Sequence, residues 1–207
     1  MNDDVLNNLR RAEEMHVYVN KQIVGKHEAN ERLEMFARFL SLMISHHESI
    51  LILIKQDRLV GSALALFRPL IETGFRGHFA AFLATDEQIQ EIKLGSEPYP
   101  RFNDMATSLD EVFETNGLFS QYKGATWKAL CGFTHCGLEQ LSRRVHPDGT
   151  MGADYEPSLI CDLINSSTSA LILTTIPYMK LAKLDEAAKA VSDQYVALYQ
   201  LPDIRSL

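Results

Sequence analysis

The stretch GSALALFRPLIETGFRGHFAAFLA, Gly61–Ala84, decides how this chain is read. It is almost wholly apolar, yet Arg68, Glu72, Arg76 and His78 interrupt it. Read as a helix, Arg68, Glu72 and Arg76 fall at i, i+4 and i+8 and form one ladder. Phe67, Ile71, Phe75, His78 and Phe82 then make an adjacent stripe, and Gly61, Ala65 and Gly77 let a partner helix or a ligand come close. Pro69 follows Arg68 and lacks an N–H, so a bend is expected where the ladder begins.

Working outward, the same helical period governs the rest of the chain. Asp3 to about Val24 reads as a first helix, which Gly25 ends. Asn30–Lys55 follows, with Met35, Phe39, Met43, His47, Ile50 and Ile54 on one stripe. Ser62–Ala84 is the third. Thr85 with Gln88 matches a capping box for a short helix to Leu94. GSEPYPRFND is a loop, and Asp104–Thr115 a second short helix, broken by NGLFSQYKG. Thr126–Arg144 returns to helix. VHPDGTMGADYEP is a long loop, and Pro157 suits the first turn of a helix running to about Ile176. Leu181–Leu201 closes the chain. The expectation is an all-α helical bundle of about five long and two short helices, one domain over residues 1–207. Neither a βαβ pattern nor a glycine-rich nucleotide loop is found.

Composition narrows the function classes. The chain has 207 residues with a net charge of −7, which disfavours broad electrostatic binding to nucleic acid. Its three cysteines, Cys131, Cys136 and Cys161, form no CxxC pair, as expected of a cytoplasmic protein. The polar N-terminus MNDDVLNNLRRAEEM is no signal peptide, and no membrane span is expected, because no run of eighteen residues is apolar without charge.

Everything else on the Gly61–Ala84 helix is small or apolar, so its ladder is expected to face a pocket rather than bulk solvent. Burying unpaired charge costs several kcal/mol, about enough to demand partners or a ligand. Two other helices offer such partners. MISHHESILIL sets His46 and His47 in an apolar run, and WKALCGFTHCG carries Trp127, Cys131 and His135 at helical spacing. The expected constellation is Arg68, Glu72, His135 and one of His46 or His47, with Arg76 and Trp127 as outer members. Arg68, Arg76, His47 and Trp127 are assigned to ligand binding, because arginine grips a carboxylate or phosphate through two N–H groups. Glu72 and His135 are the candidate catalytic pair, as base and proton carrier. Glu72, His135 and His47 could hold a metal, but a di-iron site wants Glu-x-x-His on two helices and none stands in a suitable place, HHE lacks the HExxH order, and no metal ligands are assigned. The expected partners are a small anionic ligand and a second copy of the chain; the cofactor is unknown.

The small-residue helix of Ser62–Glu72 with its ALFRPLIE, followed by the aromatic-to-histidine segment WKALCGFTHCG, resembles a group of uncharacterised bacterial all-helical proteins. That resemblance implies a fold and a shared pocket, not an activity. The chain is more distantly similar to HEPN helical bundles, many of them ribonucleases with an Arg-to-His motif. The match here is RRAEEMH, Arg10 or Arg11 to His16, and it lies in the first helix rather than late in the bundle. Five residues turn about 140° around a helix, so the pair does not share a face. Three functions are therefore carried forward: binding of a small anion or nucleotide, a helical interaction or dimerisation module, and a phosphodiester hydrolase using Arg, Glu and His.

Overall fold

The computed structural model describes residues 2–23, 30–56, 59–146 and 148–200, and of residues 122–126 the backbone only. The long helices are α1 (Asp3–Ile23), α2 (Glu31–Lys55), α3 (Val60–His78), α6 (Leu118–Thr134), α8 (Pro157–Leu181) and α9 (Asp185–Tyr199). Between them lie α4 (Asp86–Lys93), α5 (Phe102–Val112), α7 (Leu138–Leu141) and a 3₁₀ turn at Ser142–Arg144. α3 continues into a π-helical Phe79–Leu83.

The chain is all-α, but five long and two short helices is not its architecture. With the π turn counted as part of α3, ten distinct helices are described. Two local causes account for the difference. NGLFSQYKG starts a helix instead of only ending one: Gly117 takes φ +81 and releases the chain into α6 at Leu118. The expected Thr126–Arg144 helix breaks at His135–Gly137, where Cys136 turns left-handed and α7 restarts. Elsewhere the local chemistry matches the sequence. Asn30 caps α2 through the Leu33 N–H at 2.8 Å, Thr85 and Gln88 form the capping box of α4, and Pro157 opens α8. The expected stop at Gly25 lies outside the described residues. α3 runs on through Pro69, whose carbonyl accepts the Thr73 hydroxyl at 2.7 Å.

The most extensive packing is α2 against α3. A Cβ at Gly77 would stand 3.0 Å from Phe39 Cβ and 3.1 Å from the Phe36 ring, so the two backbones meet where a side chain is missing. Around that contact Phe36 makes edge contacts with Phe82 and Tyr178 at 5.9 and 5.7 Å. α8 packs against α1, α2, α3 and α9. By length and composition α2 and α8 are each long and apolar enough to cross a membrane. Both contribute buried residues to the core, and α8 buries Ser167, Thr168, Thr174 and Thr175 with their hydroxyls bonded back to its own carbonyls.

A buried polar chain crosses this core. Thr168 donates to the Ile164 carbonyl and therefore accepts from His47 Nε2 at 3.1 Å. His47 Nδ1 is left as an acceptor, so His16 Nδ1 donates to it at 3.1 Å, and Asn20 donates to His16 Nε2 at 3.0 Å. Every link requires neutral rings. Burial pushes His47 down to about 3, with the His16 ring adding to the effect. Burial also lowers His16, against the opposing pull of Glu48 and Glu13.

The fold yields two expected outcomes. A histidine whose folded pKa lies below its unfolded value stabilises the protein above pH 6.5 and loses that contribution as pH falls. Urea unfolding should therefore show stability dropping between pH 6.5 and 5, by up to about 2 kcal/mol for His47 alone; a flat profile over that window would contradict the neutral chain. The second outcome concerns Asp110, which substitutes for the side-chain cap that Gly117 cannot give α6. Its carboxylate accepts the Phe119 and Ser120 N–H groups at 2.8 and 3.0 Å and the Thr115 and Ser120 hydroxyls. Burial raises this carboxyl, but the four hydrogen bonds outweigh burial and hold it below its ordinary value. Asp110→Ala should cost about 0.5–2 kcal/mol by denaturant unfolding.

Candidate functional site

The polar face of α3 meets α6, and the junction is close because the Thr134 hydroxyl lies 3.3 Å from the Ala65 carbonyl. Arg68 is the hub. Its Nε donates to Glu72 Oε1 at 2.9 Å, closing the i,i+4 pair seen in the sequence. Its Nη1 donates to Cys131 Sγ at 3.4 Å and to His135 Nε2 at 2.7 Å. Its guanidinium lies over Trp127, 5.0 Å from the ring centroid. The Arg68 and Glu72 side chains are 21% and 30% exposed, so the pair is sheltered without being sealed.

Hydrogen-bond direction fixes the chemistry of His135. An arginine can only donate, so Nε2 accepts and the imidazole proton sits on Nδ1. His135 is exposed at the C-cap of α6, just after Thr134. It is held there by the helix end itself: Gly137 N–H returns to the Gly132 carbonyl at 2.6 Å while Cys136 takes φ +56. This is the 6→1 closure that normally uses glycine in the left-handed position. Trp127 is fixed from the other side by Phe102, stacked at 4.2 Å, which in turn contacts Phe75 at 4.4 Å. Helices α3, α5 and α6 thus all contribute to the setting of one guanidinium.

The structure brings Arg68, Glu72, Cys131, His135 and Trp127 together and separates the other candidates. Arg76 reaches away from the cluster to Glu97 at 3.3 Å and lies over Tyr99 at 4.5 Å. Its partners come from the Gly95–Arg101 loop, which sequence spacing could not place. His47 is fully buried with both ring nitrogens bonded to His16 and Thr168. His46 is half-buried on the same helix, and burial lowers its pKa. Of the RRAEEMH pair, Arg10 is exposed while His16 is buried in the His47 chain. Among the described residues, no group of three or more His, Cys, Asp or Glu side chains is placed to hold a metal ion.

Arg32 was missed from sequence. It donates to the Ala80 and Ala84 carbonyls at 3.0 and 2.7 Å, closing the π turn, and pairs with Asp86. No pattern in ERLEM marks this role. The segment after α7 folds back on the start of α3, where a Cβ at Gly61 would lie 3.0 Å from Arg144 Nη2 and collide with the Tyr155 hydroxyl.

The left-handed Cys136 gives a direct test of how His135 is presented. Cys136→Gly removes the Cβ penalty of the αL position and should leave stability unchanged or raise it by up to about 1 kcal/mol in thermal unfolding. Cys136→Val should lower it.

A family model matches residues 40–201, from within α2 to the end of α9. No curated protein and no solved structure is matched. The matched span contains Arg68, Glu72, Trp127, Cys131 and His135, and excludes α1 with its RRAEEMH. The comparisons lend no support to the HEPN likeness. The chain belongs to the Family of unknown function (DUF6988).

Proposed function

We propose that this chain, a single helical domain acting in the cytoplasm, binds a small anionic ligand, such as a nucleotide or another phosphate, at the Arg68 cluster. One observation carries this reading. Arg68 is pinned by Glu72, Cys131, His135 and Trp127, yet its Nη2 makes no hydrogen bond among the described residues and the side chain stays one-fifth exposed. A guanidinium fixed in this way offers donors without the entropy cost of ordering a free arginine. Glu72 offsets part of the positive charge, so recognition rests on directed N–H groups more than on net attraction. The Nδ1–H of the exposed His135 adds a second donor.

Binding is favoured over catalysis by the same geometry. A hydrolase reading needs His135 as a base, but its Nε2 lone pair is already held by Arg68. Glu72 keeps one oxygen free of Arg68 and could accept a proton, which leaves phosphodiester cleavage as the lesser alternative. A helical interaction module is favoured by a different observation. The segment after α6 exposes Leu138 at 78%, Leu141 at 57% and Met151 at 79%, a set suited to a second copy of the chain.

The chain's single tryptophan, Trp127, makes the first reading measurable. Titration with inorganic phosphate, AMP and ATP should change its emission saturably, and Arg68→Gln should weaken binding at least about tenfold, the loss of a charge-assisted hydrogen bond. Unchanged emission and unchanged thermal stability with all three would sink the anion reading. If native mass spectrometry then shows a dimer that Leu138→Asp dissociates, the interaction module takes its place.

A further inference from the structure

His78 was noticed in the sequence only as an interruption of an apolar helix, and the Arg68 cluster makes no use of it. It is 2% exposed and enclosed by aromatic rings, with Phe36, Phe82, Phe113 and Phe119 at centroid distances of 5.5, 6.1, 5.6 and 5.6 Å. Its Nδ1 meets the Gly74 carbonyl at 2.7 Å. A carbonyl only accepts, so the ring proton is on Nδ1 and Nε2 presents a lone pair. That buried Nε2 has no hydrogen-bond partner. Burial lowers the pKa of this imidazole, against the opposing pull of the Gly74 and Leu173 carbonyls.

The imidazole lines a cavity of about 40 Å³ between α3, α8 and the start of α6. The walls are Met43, Ile71, Phe75, Phe119, Ala170 and their neighbours. Leu118 and Leu173, which also line it, are 43% and 44% exposed, so its mouth is rimmed with apolar surface. The other polar side chain in the lining, Thr174, spends its proton on the Ala170 carbonyl at 3.0 Å and is likewise left as an acceptor. The chamber therefore combines apolar walls with acceptors that want a proton. A buried acceptor left unpaired is costly, and a ligand that supplies one donor relieves that cost.

We propose that this chamber binds a small apolar molecule bearing one hydroxyl, a phenol or a short alcohol, whose O–H donates to His78 Nε2 while its carbon body lies between Ile71, Phe75, Phe119 and Ala170 and extends toward Leu118 and Leu173. The site is separate from the Arg68 cluster and does not depend on the anion reading.

The test compares phenol with benzene, which has the same body and no donor. With the intact chain, phenol should raise the unfolding temperature, bind at least about tenfold more tightly than benzene, and move the His78 Nε2 resonance in a nitrogen-detected imidazole spectrum. Ala170→Val narrows the chamber and should weaken phenol binding, and His78→Phe should remove the preference for phenol over benzene. Equal binding of phenol and benzene, binding of neither, or a phenol effect that leaves the His78 resonance unmoved would each overturn the proposal. None of these needs a variant, so the test stands even if His78→Phe does not fold.

Discussion

The contact that the rest of the molecule depends on is the approach of α2 and α3 at Gly77. Phe36 and Phe39 of α2 occupy the space a side chain would need there, with Phe39 Cβ only 3.0 Å from where the missing Cβ would stand. Overpacking of this kind costs about 1–3 kcal/mol when a methyl is forced in. The closeness commits one side of α3 to α2, and Gly74 does the same toward Met43 of α2 and Thr174 of α8. α3 is thereby oriented about its own axis. Its Arg68–Glu72 face is left for α6, and its His78 is carried inward among four phenylalanines.

Polar groups in this core are tolerated because each has a defined direction of donation. Asn20, His16, His47, Thr168 and the Ile164 carbonyl form one line of donors and acceptors with no proton to spare. The Arg68 cluster follows the same logic at the edge of the core, where one cation is distributed over a carboxylate, a sulfur, an imidazole and an indole face. His78 is an exception. Its buried Nε2 has no hydrogen-bond partner among the described residues, a state it shares with a few other buried atoms such as Asn165 Oδ1 and the Tyr199 hydroxyl.

Much of this was legible in the sequence, and the failures have physical causes. The 3.6-residue period gave α1, α2 and α3 nearly to their ends, and local caps gave the starts of α2, α4 and α8, but α8 runs on through Pro177 to Leu181, past its expected end near Ile176. The middle of the chain was misread because its boundaries rest on left-handed residues. Gly117 opens a helix where glycine usually ends one, and Cys136 occupies a position where glycine is the usual signal. The pair Arg68–Glu72 was readable because i,i+4 spacing is local. Its meeting with Cys131 and His135 is tertiary, and only the shared presence of polar groups in two apolar helices hinted at it. Arg76 and His47 show the limit of that hint. Both interrupt apolar stripes, yet a loop glutamate and a buried histidine, each unreadable from spacing, engage them. Asp110 and Arg32 gave no signal, since a side chain that caps a distant backbone looks like any surface charge.

The central claim is that Arg68 ties the polar face of α3 to the end of α6 through His135. A double-mutant cycle of Arg68→Ala and His135→Ala, followed by denaturant unfolding, measures that tie directly. The expected result is a favourable coupling of about 0.5–3 kcal/mol, as for side chains in direct contact. Additivity of the two substitutions within about 0.3 kcal/mol would contradict it, and would leave the Arg68 cluster as neighbours that share a surface without sharing an interaction.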